Sequence, residues 1–408
     1  MLSVKNPIMT GFFPDPSICR VGNKFYTVHS TFAYFPGVPV FESEDLVHWN
    51  LISNVLDRDS QVPLSGCQHS EGIFAPTIRY HKGTWYMITT NVSDQGNFIV
   101  TAKDPRGPWS EPYYLGESTG GIDPSLFFDD DGTCYYIGQR PRSAGYRYNG
   151  DCEIWIQTLN LDTMQLKPDA TIVLTGFQRK AIWPEGPHLY KKDGYYYILH
   201  AESGTSIHHS VMIARSKNVF GPYEYCPCNP ILTHRHLGAQ YPVTCVGHAD
   251  LVDDGNGNWY MVVLACRPNQ GYTLLGRETF LAKVTWEDGW PVVNAGVGHL
   301  EEVVTLPYEG QPSDDVPQCK TYTFDTPSLP LELLTLRNHR DHELELHAEE
   351  HIVRLFHRCD SLKDCGEPAY LALRQQHWNC EFETSFMPHF CKESDCAGIA
   401  MVQSNENH

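Results

Sequence analysis

The sequence predicts an all-β protein in which a five-bladed β-propeller is followed by a small β-sandwich. Three observations predict this fold class. A motif of a turn and two strands recurs five times, the 408-residue chain contains 32 glycines and 28 prolines, and long amphipathic helical patterns are absent. Frequent Gly and Pro are typical of short strands joined by tight turns.

Each repeat begins with a turn-like element that carries Pro or Ala and ends with an aromatic pair that starts a second strand. Successive copies lie about 50 to 60 residues apart, a spacing in the range of propeller blades. A Gly-containing turn separates the two halves, since Gly tolerates a positive φ. The copies occupy residues 16–26, 76–86, 124–136, 187–197 and 249–260.

Further strand-like segments follow each copy, which indicates sheets of about four strands. Five such sheets closed in a ring account for residues 1–305, and an irregular β-sandwich is the alternative. The additional segments are 38–42, 97–101, 154–158, 211–215 and 280–284.

The composition changes after the propeller. Residues 306–319 are rich in Pro, Gly and acidic side chains and are predicted to form a linker. Beyond it, residues 343–346 and 380–386 alternate apolar and polar side chains, a pattern typical of strands. The sequence therefore predicts a β-sandwich over residues 320–408, and its small size leads us to expect an incomplete domain.

Charge argues against several classes of partner. The formal net charge is -19 at pH 7, whereas nucleic-acid binding requires a surplus of Lys and Arg. The same charge disfavours an anionic membrane surface, and no segment is long and apolar enough to cross a bilayer. A neutral substrate fits this composition. The oligomeric state is left open by the sequence.

The 14 cysteines are interpreted as free thiols of a cytoplasmic protein, because no apolar signal core follows Met1. Cys226 and Cys228 form the tightest pair, but a second pair at zinc-finger spacing is lacking, so a metal role is not favoured. Redox and nucleotide cofactors are not expected, because phosphate-binding Gly motifs are absent.

Acidic residues occupy the front of three repeats. The first strand of each propeller blade lines the central channel, so residues that precede the repeats should face a common axis. Glu185 lies one residue before its repeat's front position. The front positions are Asp15, Ala75, Asp123, Gly186 and His248. The sequence thus predicts that three carboxyl groups from three blades converge.

Converging carboxyl groups suit glycoside hydrolysis. Repulsion separates their pKa values, so that one acid can protonate the leaving oxygen while another, ionised, activates water. Glu185, beside Trp183 and two prolines, is the predicted acid, and Asp15 is the predicted base. Asp123 would orient Glu185 or tune its pKa. Because Asp-Pro is also a common turn starter, a structural role for any one of these residues is the alternative.

The motifs resemble glycoside hydrolase family 43, over residues 5–305. Segments 30–39 and 43–49 are similar to its β-xylosidase branch, although that branch often has Trp where this chain has Phe74. Fructoside-acting propellers are set aside, because they carry Arg-Asp-Pro and Glu-Cys where this chain has Ile122-Asp123 and Glu185-Gly186. The remaining similar segments are 6–8, 14–20, 75–80, 121–125, 184–190, 247–248 and 275–279.

The resemblance implies an inverting mechanism with Asp15 as general base, Glu185 as general acid and Asp123 as the residue that orients the acid and modulates its pKa. It further implies that Phe32 and Phe74 wall the sugar pocket and that Arg277 donates to sugar hydroxyls, a role its fixed fork of donors suits. A surface ion pair is the alternative for Arg277.

His248 is left with three interpretations. It is a buried, hydrogen-bonded residue, an aid to the acids and the substrate, or a ligand near the channel centre. In some members of the family the equivalent His faces a central calcium ion or water, so a Ca²⁺ site at His248 is one implication of the resemblance. No other cofactor is implied.

We expect an enzyme that removes terminal xylose from xylo-oligosaccharides, a β-xylosidase. An α-L-arabinofuranosidase or a bifunctional enzyme is the alternative, because xylose and arabinose present similar hydroxyl groups. A propeller that binds carbohydrate without catalysis is the rival of a different class. Linkage preference is not resolved by the sequence.

Overall fold

A computed structural model describes residues 1–116, 120–312, 319–338 and 344–408. Within them the chain forms antiparallel β-sheets and one turn of 3-10 helix at Phe177–Arg179. No helix in the described part of the chain is long and apolar enough to span a bilayer.

Most of the strands fall into five blades, and within a blade each strand pairs mainly with the blade strand that precedes or follows it in sequence. Before the blades lies β1 (Leu2–Lys5). Blade 1 contains β2 (Ser17–Val21), β3 (Lys24–Val28), β5 (Gly37–Ser43) and β6 (Asn50–Leu56), with the short β4 (Tyr34–Phe35) between β3 and β5 in sequence. Blade 2 contains β7 (Thr77–His81), β8 (Thr84–Asn91), β9 (Gly96–Ala102) and β10 (Tyr113–Tyr114).

Blade 3 has one strand more than the others. It contains β11 (Ile122–Phe128), β12 (Cys134–Pro141), β13 (Cys152–Asn160), β14 (Gln165–Leu166) and β15 (Thr171–Thr175), and both β14 and β15 pair with β13. Blade 4 contains β16 (Glu185–Lys192), β17 (Tyr195–Glu202), β18 (Ser210–Ser216) and β19 (Glu224–Tyr225). Blade 5 contains β20 (Thr244–Asp253), β21 (Trp259–Cys266), β22 (Glu278–Glu287) and β23 (Trp290–Val293).

The first strands of the blades form a closed ring. Each contacts the first strand of the next blade, and β20 of blade 5 contacts β2 of blade 1. Outside the blades, β1 pairs with β24 (Val303–Leu306), so that Leu2 lies opposite Leu306. This pairing joins the two ends of the repeat region. The predicted five-bladed propeller is therefore confirmed, as are the five additional strand segments.

The aromatic pairs of the repeats fill the space between blades. Tyr26 of blade 1 packs edge-on against Trp85 of blade 2, with ring centroids 4.6 Å apart. Tyr86 packs against Phe128 of blade 3 at 5.1 Å. Burying such rings removes large apolar areas from water, which is the main force that holds the blades together.

A buried ionic network ties four inner strands to one another. The Asp250 carboxylate of β20 accepts hydrogen bonds from Ser17 Oγ at 2.8 Å and from Arg79 Nη1 at 3.1 Å, and it also accepts one from the Tyr190 hydroxyl. Burial opposes ionisation, but Arg79 and His188 lower the Asp250 pKa to about 2. The charged network fixes the ring on which the channel residues sit.

Residues after the propeller also contact it. β25 (Thr335–Leu336) pairs with β4, and the buried Arg337 side chain donates to the Cys67 and Gly366 carbonyls at 2.8 and 2.6 Å. Further on, β26 (Leu344–His347) and β27 (Ile352–Leu355) form a hairpin.

The prediction of a strand at residues 380–386 is wrong. Residues 380–386 are exposed and carry no strand, because no neighbouring segment of the described chain pairs with them and a strand needs a hydrogen-bonded partner. Residues 313–318 of the expected linker and residue 343 of the other expected strand lie outside the described residues. The boundaries at 305 and 320 stay predictions.

Candidate active site

The front positions of four blades share an unusual backbone conformation. Asp15, Asp123, Gly186 and His248 have φ values of 53°, 54°, 57° and 51°. Residues other than Gly rarely adopt this left-handed backbone conformation, and residues held in it cluster at functional sites. The equivalence that the sequence predicts is thus visible in the backbone, except at Ala75 of blade 2.

Asp15 is buried and is surrounded by donors. Ser30 Oγ donates to its Oδ2 at 2.6 Å, and Arg277 Nη1 donates to its Oδ1 at 2.9 Å. The His248 Nδ1 atom lies 4.0 Å from the same Oδ1. Burial alone would raise the pKa of Asp15, but Arg277, His248 and Ser30 together lower it below the usual value. Asp15 is therefore an ionised carboxylate at neutral pH.

Asp123 is buried beside the backbone of Glu185. Its Oδ2 accepts a hydrogen bond from the Gly186 N–H at 3.0 Å. Burial raises the pKa of Asp123 to about 6, with Asp15 adding to the rise and His248 opposing it. The two aspartates of the site therefore have pKa values shifted in opposite directions.

Glu185 begins β16 and is partly buried. Burial raises its pKa well above the usual value, and the charges of Asp123 and Asp15 raise it further, while Arg277 opposes them. These interactions place all three carboxyl groups within one electrostatic neighbourhood. Glu185 thus keeps its proton at pH values where Asp15 has lost its own, which is the division that acid–base catalysis requires.

An aromatic wall borders the carboxylates. Phe32 stacks on Phe12 with centroids 5.7 Å apart and meets Phe74 edge-on at 5.4 Å. The Arg277 guanidinium carbon lies 4.9 Å from the Phe32 ring centroid. Backbone hydrogen bonds between Phe32 and Ile73, at 2.9 and 3.1 Å, hold the wall in register. The structure therefore brings Phe32, Phe74 and Arg277 to the site.

His248 lies over Gly186. A Cβ atom at Gly186 would stand 3.0 to 3.1 Å from the His248 ring atoms, so the imidazole packs on the glycine backbone. Calcium prefers six to eight oxygen ligands. In residues 1–116, 120–312, 319–338 and 344–408 no group of three or more His, Cys, Asp or Glu side chains is placed to hold a metal ion. The described residues thus offer no cluster of such side chains at His248, and the Ca²⁺ site there stays a prediction.

Two contact residues were not identified from the sequence. Ser30 follows β3 and donates a hydrogen bond to Asp15, and Phe12 extends the aromatic wall. Phe12 lies three residues before Asp15, within the same short segment, which was an available signal. Ser30 begins segment 30–39, which resembles the β-xylosidase branch, but its pairing with Asp15 had no signal, because a hydroxyl that follows a strand is ordinary and its partner lies 15 residues away.

A propeller channel that holds an ionised and a protonated carboxyl group beside an aromatic wall has the groups that glycoside hydrolysis requires, which points to the class of glycoside hydrolases. The chain belongs to glycosyl hydrolases family 43, whose family model matches residues 4–291. Residues 321–408 match the model described as the beta xylosidase C-terminal concanavalin A-like domain. The expected β-sandwich class of the second domain is confirmed by this match.

The relatives of this chain carry the names of glycosidases, which agrees with this family. The chain is 55% identical over 412 residues to a xylosidase/arabinosidase of Butyrivibrio fibrisolvens, and the match covers 100% of this chain and 79% of that protein. It is 40% identical over 418 residues to a non-reducing end α-L-arabinofuranosidase of Bacteroides ovatus, with 99% and 74% covered.

The fold has close counterparts among solved structures. The xylan β-1,4-xylosidase of Bacillus halodurans superposes with a TM-score of 0.82 at 38% identity, covering 92% of this chain and 72% of that one. The chain is therefore a glycosidase of the same family and architecture.

Proposed function

We propose that the protein is an inverting exo-glycosidase that releases terminal xylose from xylo-oligosaccharides. The observation that carries the proposal is the opposite protonation of two carboxyl groups in one site. The pKa of Asp15 is lowered by Arg277, His248 and Ser30, whereas the pKa of Glu185 is raised by burial and by its acidic neighbours.

The reaction follows from these charges. Ionised Asp15 takes a proton from a water molecule while the oxygen of that water attacks the anomeric carbon. Glu185 gives its proton to the glycosidic oxygen, the bond between that oxygen and the anomeric carbon breaks, and the new hydroxyl is on the opposite face of the sugar. Inversion requires about 6.5 to 9.5 Å between the two carboxyl groups, which leaves room for the water.

The remaining residues bind and orient. Asp123, tied to the Gly186 N–H, keeps the backbone of Glu185 in place and raises its pKa. Arg277 has further N–H groups beyond the one that Asp15 accepts, and these suit sugar hydroxyls. Phe32 and Phe74 supply an apolar wall for the faces of the sugar, and His248 lies beside the base.

The choice of sugar rests on relatives. The Butyrivibrio fibrisolvens relative is named a xylosidase/arabinosidase, and the Bacillus subtilis relative, 36% identical, a beta-xylosidase. The Bacteroides ovatus relative is named an α-L-arabinofuranosidase, which supports arabinofuranosides as the second candidate substrate. A bifunctional enzyme combines the two.

Assays on aryl β-xyloside and aryl α-L-arabinofuranoside test the proposal. We expect turnover of the xyloside, and activity on neither substrate would overturn the assignment. Glu185→Gln should abolish turnover of xylobiose while sparing its binding, measured by calorimetry. If the protein only binds carbohydrate, the parent protein should show no turnover, and the parent and Glu185→Gln should bind xylobiose equally.

A further inference from the structure

Two cysteines lie next to each other on neighbouring strands of blade 5. Cys245 is the second residue of β20, and Cys266 is the last residue of β21, where it lies directly opposite Thr244. Both are free thiols. Cys245 is partly exposed, whereas Cys266 is buried. Neither residue has a part in the proposed cleavage of the sugar.

A β-bulge turns Cys245 toward Cys266. Successive side chains of a regular strand point to opposite faces, so the residue after Thr244 would be expected to face away from Cys266. The pairing of β20 with β21 is irregular between Thr244 and Gly247, however, and Cys245 has φ 59°. Bulges of this kind change the direction of a side chain. As a result, the thiols of Cys245 and Cys266 are hydrogen-bonded to each other.

This hydrogen bond gives the two sulfurs different chemistry. It lowers the pKa of Cys245, and the Thr244 hydroxyl, whose Oγ1 lies 3.7 Å from Cys245 Sγ, lowers it further. The same hydrogen bond and burial raise the pKa of Cys266. The thiolate is the form of cysteine that attacks oxidants. Cys245 is therefore both the more accessible and the more reactive of the two, and Cys266 is placed to react with it.

The backbone of Cys245 is linked to the segment that carries His248. The Cys245 carbonyl accepts a hydrogen bond from His209 Nδ1 at 3.0 Å. The His209 ring packs on the Gly247 backbone, where an added Cβ would stand 2.4 to 2.5 Å from the ring atoms. His248 follows directly, with its Nδ1 4.0 Å from Asp15 Oδ1. A displacement of Cys245 should therefore reach the surroundings of the proposed base.

We propose that Cys245 and Cys266 form a modification site at which hydrogen peroxide oxidises the two thiols to a disulfide, and that this disulfide slows catalysis. The bond brings the sulfurs closer together than two free thiols in contact, so the bulge of β20 has to move. The site goes beyond the proposed function and does not depend on which sugar the enzyme releases.

The oxidation takes place in two steps. The Cys245 sulfur attacks one oxygen of the peroxide, the O–O bond breaks, and a sulfenic acid and one molecule of water form. The Cys266 sulfur then attacks the sulfenic sulfur, and the hydroxyl group leaves with the Cys266 proton as a second molecule of water. The two sulfurs lose two electrons, and the peroxide gains them.

Peptide mapping under non-reducing conditions after treatment with hydrogen peroxide tests the site. We expect two peptides joined through Cys245 and Cys266, with two hydrogen atoms fewer than the separate peptides. On a glycoside that the parent protein hydrolyses, kcat/KM should fall about tenfold, because small displacements near reacting groups are costly. Dithiothreitol should restore the activity, since thiols reduce a disulfide but not methionine sulfoxide.

Cys245→Ser should keep its kcat/KM within about twofold after the same treatment. Cys228→Ser is the matched control, because Cys228 is exposed and hydrogen-bonded to Cys226 as a second pair of thiols. This control should form the Cys245–Cys266 disulfide and lose activity as the parent does.

Treated parent protein without the joined peptides would overturn the site, as would a loss of activity that persists in Cys245→Ser. A disulfide that leaves kcat/KM unchanged would overturn its effect on catalysis. Should Cys245→Ser fail to fold, the peptide map of the parent and the recovery with dithiothreitol decide. If the parent hydrolyses no glycoside, the proposed function fails, and the peptide map still tests the disulfide.

Discussion

The Asp123 carboxylate accepts a hydrogen bond from the Gly186 N–H at 3.0 Å, and Gly186 is the residue that follows Glu185. One hydrogen bond thus links the front positions of blades 3 and 4. Asp123 acts on Glu185 in two ways, because it accepts a hydrogen bond from the backbone that follows Glu185 and adds negative charge that raises the Glu185 pKa.

Asp123→Asn should separate these two effects. The amide oxygen can still accept from the Gly186 N–H, but the negative charge is lost, so the pKa of Glu185 should fall. We expect the alkaline limb of the pH profile of kcat/KM to move to lower pH, with a loss of roughly 10²-fold in rate at neutral pH. Asp253→Asn, at a surface ion pair with Arg20, should leave the profile unchanged. An alkaline limb that stays fixed in Asp123→Asn would contradict the role of its charge.

Arg277→Gln should move both limbs of the same profile upward. The Arg277 charge lowers the pKa of Asp15 and also opposes the rise in the pKa of Glu185. Without it, Asp15 should ionise at higher pH and Glu185 should keep its proton to higher pH. Measurement of kcat/KM from about pH 3 to 10 checks this expectation. Limbs that move in opposite directions would show that Arg277 does not act through these two groups.

Gly186→Ala should cost activity because of its contact with His248. The new Cβ would meet the imidazole at 3.0 to 3.1 Å, and φ at this position is 57°. Gly194→Ala is the control, since Gly194 has φ 75° but only Lys217 Nζ, at 3.9 Å, near the added carbon. Both variants should lose about 1 kcal/mol of stability from backbone strain. A large loss of kcat/KM in Gly186→Ala alone is expected, and equal activity of the two would contradict the packing role.

Glu185→Gln should stabilise the protein above neutral pH. The pKa of Glu185 is higher in the folded than in the unfolded protein, so the unfolded state loses this proton first as the pH rises. The parent protein therefore loses stability as the pH rises from the usual Glu pKa toward the raised pKa of the folded state. Gln does not titrate. Thermal unfolding should show a midpoint higher by roughly 2–4 °C at about pH 8 and no difference at about pH 4. A variant less stable than the parent at the higher pH would contradict the raised pKa.

Arg337→Leu should destabilise the junction between the second domain and blade 1. The Arg337 side chain is buried and donates to the Cys67 and Gly366 carbonyls, and its removal leaves both acceptors without these donors. We expect a loss of about 1–3 kcal/mol in unfolding free energy, measured by urea titration. Arg354→Leu, at an exposed ion pair with Glu350, should cost less than about 1 kcal/mol. Equal losses would argue against an anchoring role.

The parts of the fold that the sequence predicted are those that depend on local pattern. Aromatic pairs, Gly turns and regular spacing are sufficient for five blades, because each blade repeats the same packing. The positions of Asp15 and Asp123 followed from that repetition. The pairing of β25 with β4 could not be predicted, since it joins segments about 300 residues apart and involves only two residues of each.

Other features depend on burial, which a sequence does not display. Asp250 has the same residue type as the site acids, but the structure places it in an ionic network with Arg79. The alternation in residues 380–386 resembles a strand, but a strand also requires a neighbour. Trp183 was noted only for its effect on Glu185, because Gly150 and Gly204, which pack against its indole, are distant in sequence.

The crystal structure of Glu185→Gln with xylobiose would test the central claim most directly. We expect the terminal xylose to lie between residues 15 and 185, with the Asp15 carboxylate facing a water at the anomeric carbon. The amide introduced at position 185 should lie within hydrogen-bond reach of the glycosidic oxygen. A sugar bound elsewhere, or the two side chains facing different surfaces, would contradict the account.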